Sequence, residues 1–161
     1  MVGEGLNEKS VKKVAYAYCT WLQNKGIEKL ILGRDTRPSS IKLEKYVLNI
    51  VSEFNFQIIN VGICPTPIIL HAKKELKLHG GIIISGSHNP PEWNALKLLS
   101  ENSFICDNEL DEIRRIYKKI KINQLKLKSR NKRKVKKYNA IKAYIKDLNQ
   151  VIDFKKVRKN N

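Results

Sequence analysis

The chain has 161 residues, which is enough for one domain with a single hydrophobic core. Apolar residues make up 42% of the chain, a content that excludes a disordered polypeptide. No apolar run approaches the length of a membrane span, and the polar N-terminus, with Glu4 and Glu8, lacks the features of a signal peptide. The three cysteines, Cys19, Cys64 and Cys106, form no C-x-x-C pair. We therefore expect reduced core thiols in a cytoplasmic protein.

The net charge of +17 is a local feature of the chain. Residues 113–146 contain 15 of the 32 lysines and arginines and no acidic residue, so the remainder is nearly balanced. A basic segment of this kind can contact a nucleic-acid backbone. It lacks a helix-turn-helix, finger or RNA-binding signature, and it offers too few aromatic residues, such as Tyr117 and Tyr138, to form a stacking platform for bases. The pattern favours a solvated connector, and a basic nucleic-acid-associated protein is kept as an alternative.

Helical and strand patterns alternate along the chain. Apolar residues at helical spacing predict a first helix over residues 7–26, with Asn7 as its N-cap. Short apolar runs predict strands over residues 29–32, 57–61, 82–84 and 96–99, and Phe104–Ile105 could add another. Further helices are predicted from a cap at Ser39 or Ser40 to residue 54, with Ile41 on the buried face, and from a cap at Thr66 to residue 76. Two more are predicted over residues 107–119 and 140–151. Residues 121–136 are predicted to be loop. The alternation predicts an α/β layered sheet.

One stretch, GGIIISGSHNPPEWNALKLL over residues 80–99, combines a buried strand with a chemically rich loop. Small residues and two prolines exclude regular structure in the loop. It presents the hydroxyl of Ser87, the imidazole of His88, the carboxamide of Asn89 and, on the next strand, the amine of Lys97. Ligands of open α/β sheets bind beyond the carboxyl ends of the strands. The alternative is an ordinary surface turn.

Three motifs resemble those of the α-D-phosphohexomutase superfamily, which comprises phosphoglucomutases, phosphomannomutases and phosphoglucosamine mutases. A G-x-D-x-R-x-S turn occupies residues 33–39, and a G-x-x-x-T-P turn occupies residues 62–67. The family's T-A-S-H-N-P-x-x-x-N-G-x-K loop matches residues 85–97, with Ser85, Gly86 and Ala95 in place of the usual Thr, Ala and Gly. The resemblance covers nearly the whole chain and only the first of that family's four domains. It implies a three-layer α/β/α sandwich with a mixed, mostly parallel sheet of about four strands over residues 1–150. Residues 151–161 would be a basic tail that begins a linker.

The resemblance also implies an activity, the interconversion of hexose 1-phosphate and 6-phosphate through a bisphosphate intermediate. A serine is a weak nucleophile without an adjacent base or a preformed phosphate. In this family the serine matching Ser87 is stored phosphorylated, and its phosphate coordinates Mg²⁺. Lys97 would transfer protons, and His88 and Asn89 would bind phosphate and sugar. Hexose 1,6-bisphosphate would serve as activator and intermediate.

Other residues are expected to support this site. Asp35 and Arg37 are expected to form a buried pair at its base, and Asn94 is expected to hold the loop. The family's Asp-x-Asp-x-Asp metal loop is absent from the sequence, so the other Mg²⁺ ligands are expected from a further domain, in the same parent chain or in trans. The chain alone is then not expected to complete turnover. A non-catalytic phosphosugar-binding or partner-binding module with the same fold is kept as an alternative.

Overall fold

The computed structural model describes residues 1–121 and 135–152. Helices and strands alternate for most of that length. In chain order they are α1 (Glu8–Asn24), β1 (Lys29–Arg34), α2 (Pro38–Val51), β2 (Gln57–Ile63), α3 (Thr66–Glu75), β3 (Gly80–Ile84), β4 (Leu96–Leu99), α4 (Asp107–Lys119), β5 (Val135–Lys137) and α5 (Ala140–Val151).

The sheet is mixed and mostly parallel, in the order β4-β3-β1-β2-β5. Strands β1, β2, β3 and β5 pair in parallel, and β4 runs antiparallel to β3. The prediction of about four strands was wrong, because two of the three residues of β5, Val135 and Lys136, lie in the stretch predicted to be loop. This strand has three exposed residues, two of them lysines, so the sequence carries no apolar alternation there. Pairing with β2 is what makes this segment a strand.

Two layers of helices cover the sheet, as predicted. Helices α1, α2 and α4 pack over one face, against residues such as Leu30, Leu32 and Ile82. Helices α3 and α5 pack over the other face, against residues such as Ile31 and Ile83. Neighbouring residues of a strand point to opposite faces, so continuous apolar runs supply both cores. The α/β/α sandwich is confirmed.

Several local predictions were wrong by a few residues. Helix α2 begins at Pro38 and ends at Val51, and Ile41, predicted to be buried, is 46% exposed. Thr66 is the first helical residue of α3 rather than its cap. Phe104 makes a single bridge to Leu99 instead of a strand. Each deviation lies at an element boundary, where the local pattern is weakest.

The cysteines divide into two classes. All three are free thiols, and Cys19 and Cys64 are buried as expected. Cys106 is exposed, because it caps α4 instead of packing in the core, so its assignment to the core was wrong. No helix within the described residues is both long and apolar enough to cross a membrane. Residues 122–134 of the basic segment and the tail residues 153–161 lie outside the described part.

A buried tyrosine fixes the strand pair that precedes and follows the predicted active-site loop. The hydroxyl of Tyr18 on α1 accepts a hydrogen bond from the Gly81 backbone N–H at 2.7 Å. The same hydroxyl lies 2.6 Å from the Leu99 carbonyl oxygen, to which it donates. Gly81 and Leu99 are register partners on β3 and β4. Tyr18 therefore ties both strands to α1.

Replacing Tyr18 with Phe should destabilise the fold by about 1–3 kcal/mol, because it leaves buried backbone groups of β3 and β4 without their partner. The free energy of unfolding, measured by urea denaturation, checks this. Tyr16→Phe on the same helix is the matched control, since Tyr16 packs through its ring against Phe54, a contact that phenylalanine keeps. Equal losses from both variants would contradict a specific role for the Tyr18 hydroxyl.

Candidate functional site

The candidate site lies where β1 and β3 end side by side. These strands are parallel, with Arg34 paired to Ile84 at their carboxyl ends. The backbone N–H of Asp35 continues the pairing by donating to the Ile84 carbonyl at 2.9 Å. The turn after β1 and the loop after β3 are thereby brought into contact. This is the edge of an α/β sheet at which ligands bind.

The structure brings together the two residues predicted to be catalytic. The ammonium of Lys97 donates to the Ser87 hydroxyl, with Nζ and Oγ 2.6 Å apart. Lys97 can reach back because β4 is antiparallel to β3, which pairs Lys97 with Ile83 near the start of the loop. Ser87 is exposed and Lys97 is half-buried, so the pair is open to solvent and to a ligand.

The backbone at Ser87 is in the left-handed region, with φ of +52°. This conformation costs a residue with a Cβ about 1–2 kcal/mol. The hydroxyl of Ser85, which is buried, accepts from the Ser87 N–H at 3.1 Å. The Asn89 N–H closes a turn by donating to the Gly86 carbonyl at 3.0 Å. These contacts hold Ser87 in a strained conformation that presents its hydroxyl outward.

The carboxylate of Asp35 joins the turn to the loop. It accepts from Gly86 N–H at 3.0 Å and from the Ser40 hydroxyl at 2.5 Å, and it pairs with the Arg37 guanidinium at 2.6 Å. Burial raises the pKa of this carboxyl, but the hydrogen bonds from Ser40 and Arg37 outweigh it and lower the pKa to about 2. Asp35 is therefore ionised at neutral pH and faces the loop backbone.

Arg37 holds the loop from its outer side. Its guanidinium donates to the carbonyl oxygens of Ser87 and Asn89. A Cβ on Gly86 would lie 2.6 Å from Arg37 Cζ and 2.7 Å from the Trp93 carbonyl oxygen. The close approach of Arg37 thus requires glycine at position 86, where the related motif carries alanine.

Asn94 connects the far end of the loop to α2. Its side-chain amide donates to the hydroxyls of Ser39 and Ser40, at 2.9 and 2.8 Å. Its side-chain oxygen accepts from the Ala95 N–H at 2.8 Å. The loop is therefore fastened at both ends to the first turn of the same helix.

The remaining sequence-predicted residues fall into two groups. His88 and Asn89 follow Ser87 on the loop and are exposed, so their phosphate-binding and sugar-binding roles stay predictions. His71 and His79, to which no role was given, lie elsewhere and pair with Asp147 and Glu101.

Sequence reasoning missed Ser40, Ser85 and Gly86 as parts of the site. The serine pair at 39 and 40 was interpreted only as a helix cap. No spacing signal indicates that Ser40 turns towards Asp35. The departures from the motif at Ser85 and Gly86 were visible, but their reason depends on the distant Arg37 side chain.

The described residues do not fit a Mg²⁺ site by themselves. Magnesium prefers oxygen ligands, carboxylates above all. The part of the chain that the structure describes contains no group of three or more His, Cys, Asp or Glu that could hold a metal. The Asp35 carboxylate is engaged by Arg37 and by the loop backbone. What Ser87 has within reach is cationic, which suits a bound phosphoryl group and not a cation.

Comparisons with known proteins agree with this geometry. Residues 1–124 match the family model described as phosphoglucomutase/phosphomannomutase, alpha/beta/alpha domain I. A phosphoglucomutase/phosphomannomutase of Thermococcus kodakarensis is 29% identical, over 99% of this chain and 35% of its own length. A phosphoglucosamine mutase of Prochlorococcus marinus is 40% identical, over 62% of this chain and 22% of its own length. The chain thus spans about a third or less of these curated relatives.

Solved structures share the fold. The phosphoglucomutase pp63/parafusin of Paramecium, in its open form, superimposes with a TM-score of 0.78 at 17% identity, covering 96% of this chain and 34% of its own. A phosphoglucomutase/phosphomannomutase family protein of Burkholderia thailandensis gives a TM-score of 0.72 at 21% identity, over 89% of this chain and 32% of its own. At these identities the likeness concerns the fold alone.

The lowered pKa of Asp35 predicts an acid-dependent stability. A carboxyl whose folded pKa of about 2 lies below its unfolded value stabilises the protein above pH about 4 and loses that contribution as the pH falls towards 2. We expect this loss to be about 1–2 kcal/mol, allowing for partial exposure. Urea denaturation from pH 6 to pH 2 measures it against Asp35→Asn, which should lack this component. Parallel pH profiles of the two proteins would contradict the assignment.

Proposed function

This chain belongs to the phosphoglucomutase/phosphomannomutase family, as its α/β/α domain I, and from that premise we propose that Ser87 is the phosphoryl carrier of a phosphohexomutase. The reaction is the interconversion of hexose 1-phosphate and 6-phosphate through a hexose bisphosphate. The observation that carries the proposal is the 2.6 Å contact between Lys97 Nζ and Ser87 Oγ. Through this contact an amine capable of proton transfer is hydrogen-bonded to the exposed hydroxyl at the position of the motif's serine.

The proposed step forms one bond and breaks one. Ser87 Oγ attacks a phosphorus of hexose bisphosphate, the new Oγ–P bond forms, and the bond from phosphorus to the sugar oxygen breaks. Lys97 relays the proton: its ammonium gives a proton to the departing sugar oxygen and takes up the serine proton, so that it ends the step as it began. In the reverse direction Lys97 takes the proton of the attacking sugar hydroxyl. Positioned proton transfer of this kind contributes about 10²–10⁴-fold to a rate.

The surroundings of Ser87 suit a phosphorylated serine. Phosphoryl transfer depends on positioning and on neutralising charge at the phosphoryl oxygens. The ammonium of Lys97 lies against the hydroxyl, and the guanidinium of Arg37 lies against the loop backbone that carries it. His88 and Asn89, next in the chain and exposed, are proposed to donate to phosphate and sugar oxygens.

The chain is proposed to act together with further polypeptide. Its relatives are about three times as long or longer, and the described residues hold no metal-binding cluster. An oxygen of the Ser87 phosphate would be one ligand of Mg²⁺, and the others would come from the remaining mutase domains, in the full-length parent or in trans.

Incubation with glucose 1,6-bisphosphate and Mg²⁺ should transfer one phosphoryl group to Ser87. Intact-mass measurement reveals the added group, and peptide sequencing by mass spectrometry locates it. Ser87→Ala should abolish the modification, and Lys97→Met should slow it by about 10²–10⁴-fold. Ser103→Ala, which removes an exposed hydroxyl from the turn after β4, is the matched control and should leave the rate unchanged. An unmodified wild-type chain would instead favour the non-catalytic phosphosugar-binding module.

The same chain should not sustain isomerisation. With Mg²⁺ and glucose 1-phosphate, we expect no continued formation of glucose 6-phosphate, because the described residues contain no group of His, Cys, Asp or Glu that could hold the metal. A coupled dehydrogenase assay for glucose 6-phosphate measures this. Steady turnover dependent on Ser87 would overturn the proposed need for further domains.

A further inference from the structure

A cavity of about 750 Å³ opens between α3 and the turn that follows β4. We call it the α3 cavity. Its volume lies in the range of sites that bind small organic molecules. Most of its charged lining is basic, with Glu101 as the acidic side chain on the wall. The basic lining residues are His71, Lys73, Lys74, Lys77 and His79.

The α3 cavity lies at the opposite end of the sheet from Ser87. His79 directly precedes Gly80, the first residue of β3, whereas Ser87 follows the last. The turn at Glu101 comes after Leu99, which pairs with Gly81 at the start of β3. A strand of this length separates the two places by roughly 15 Å. A ligand here would not compete directly for the Ser87 loop.

The first observation that indicates an anion site is the burial of Lys73. The residue is 4% exposed, and its ammonium donates to the backbone carbonyl of Glu101 at 2.6 Å. Burial lowers its pKa, an effect that the nearby Glu101 charge only partly opposes. The Glu101 carboxylate lies against the His79 ring, with Oε1 and Nδ1 3.3 Å apart. No carboxylate within the described residues forms an ion pair with Lys73, and a buried charge without such a partner is unfavourable.

The second observation is the backbone conformation of Lys77. Its φ of +50° lies in the left-handed region, just after the end of α3, where glycine is the usual residue. A lysine at this position carries backbone strain that a glycine would not. Its side chain lines the cavity together with Lys73 and Lys74. Basic residues near a helix C-terminus interact favourably with the helix dipole. That effect accounts for Lys74 but neither for the burial of Lys73 nor for the strain at Lys77.

We propose that the α3 cavity is an anion-binding site that takes a small organic phosphate, with the ammonium groups of Lys73, Lys74 and Lys77 as its binding groups. A phosphate would supply the counter-charge that Lys73 lacks and accept hydrogen bonds from several lysines at once. The volume of the cavity leaves room for the organic part of the ligand.

The test is an NMR titration of the whole ¹⁵N-labelled chain with phenyl phosphate, a phosphomonoester without a sugar. We expect saturable changes at the amides of Lys77, His79 and residues 101–103. Amides of residues 87–89 report binding at the candidate active site separately. Inorganic phosphate in a second titration should act on the same amides more weakly, because it lacks the organic part.

Two variants separate binding from structure. Lys73→Met should weaken binding about tenfold, the loss expected for a charged hydrogen bond. It should also raise the urea midpoint, because it removes a buried charge. Lys77→Gly should weaken binding about threefold, as for an exposed charge, and should also raise stability by relieving strain. If either lysine had only a structural role, its replacement would lower the stability of the fold.

The control is Lys45→Met, which replaces an exposed lysine on α2 in the other helical layer. It makes the same change of charge as Lys73→Met and should leave binding unaltered.

Non-saturating changes spread over all lysines, or changes confined to residues 87–89, would overturn the proposal. So would equal effects of Lys73→Met and Lys45→Met. None of these outcomes bears on phosphorylation of Ser87, and a failure of that phosphorylation leaves the titration of the α3 cavity unaffected.

Discussion

The candidate site depends on one partly buried carboxylate that contacts three segments at once. Asp35 accepts hydrogen bonds from the loop at Gly86, from α2 at Ser40 and from the turn through Arg37. These segments are up to 51 residues apart in sequence. They meet because β1 and β3 are parallel neighbours that end together. The sheet brings the strand ends together, and the hydrogen bonds of the carboxylate then fix the geometry of the loop.

A fixed loop is needed because Ser87 adopts a conformation that it would not choose alone. The left-handed backbone at Ser87 is unfavourable by about 1–2 kcal/mol. The contacts of Asp35, Arg37 and Ser85 outweigh that cost and keep the hydroxyl beside Lys97. Strain of this kind is characteristic of functional sites, where the surrounding structure holds a reactive group ready. If stability alone determined the residue at position 87, glycine or asparagine would be expected there, because both adopt the left-handed region more easily than serine does.

The sequence predicts the layers of this fold well and its long-range contacts poorly. Apolar runs and helical spacing identify β1 to β4 and all five helices, because those signals are local. β5 carries no such signal, since its exposed Val135 and its lysines become a strand only by pairing with β2. Motif spacing predicts that Ser87 and Lys97 belong to one site. It cannot predict that Arg37 fills the space of a Cβ at Gly86, which depends on two segments that only the tertiary fold joins.

The distribution of charge in this domain suits the binding of anions. Near Ser87 the charged side chain within reach is Lys97, and at the α3 cavity most of the charged lining is basic, with Lys73 and Lys77 among it. The carboxylate of Asp35, in contrast, faces the protein backbone. In a chain with a net charge of +17, bound anions relieve self-repulsion and stabilise the folded state by mass action. Cations alone can hold a phosphoryl group, but transfer also requires its charge to be stabilised along the whole path, commonly by a metal ion. The proposed storage of phosphate on Ser87 and the proposed need for further domains in its transfer both rest on this arrangement of charge.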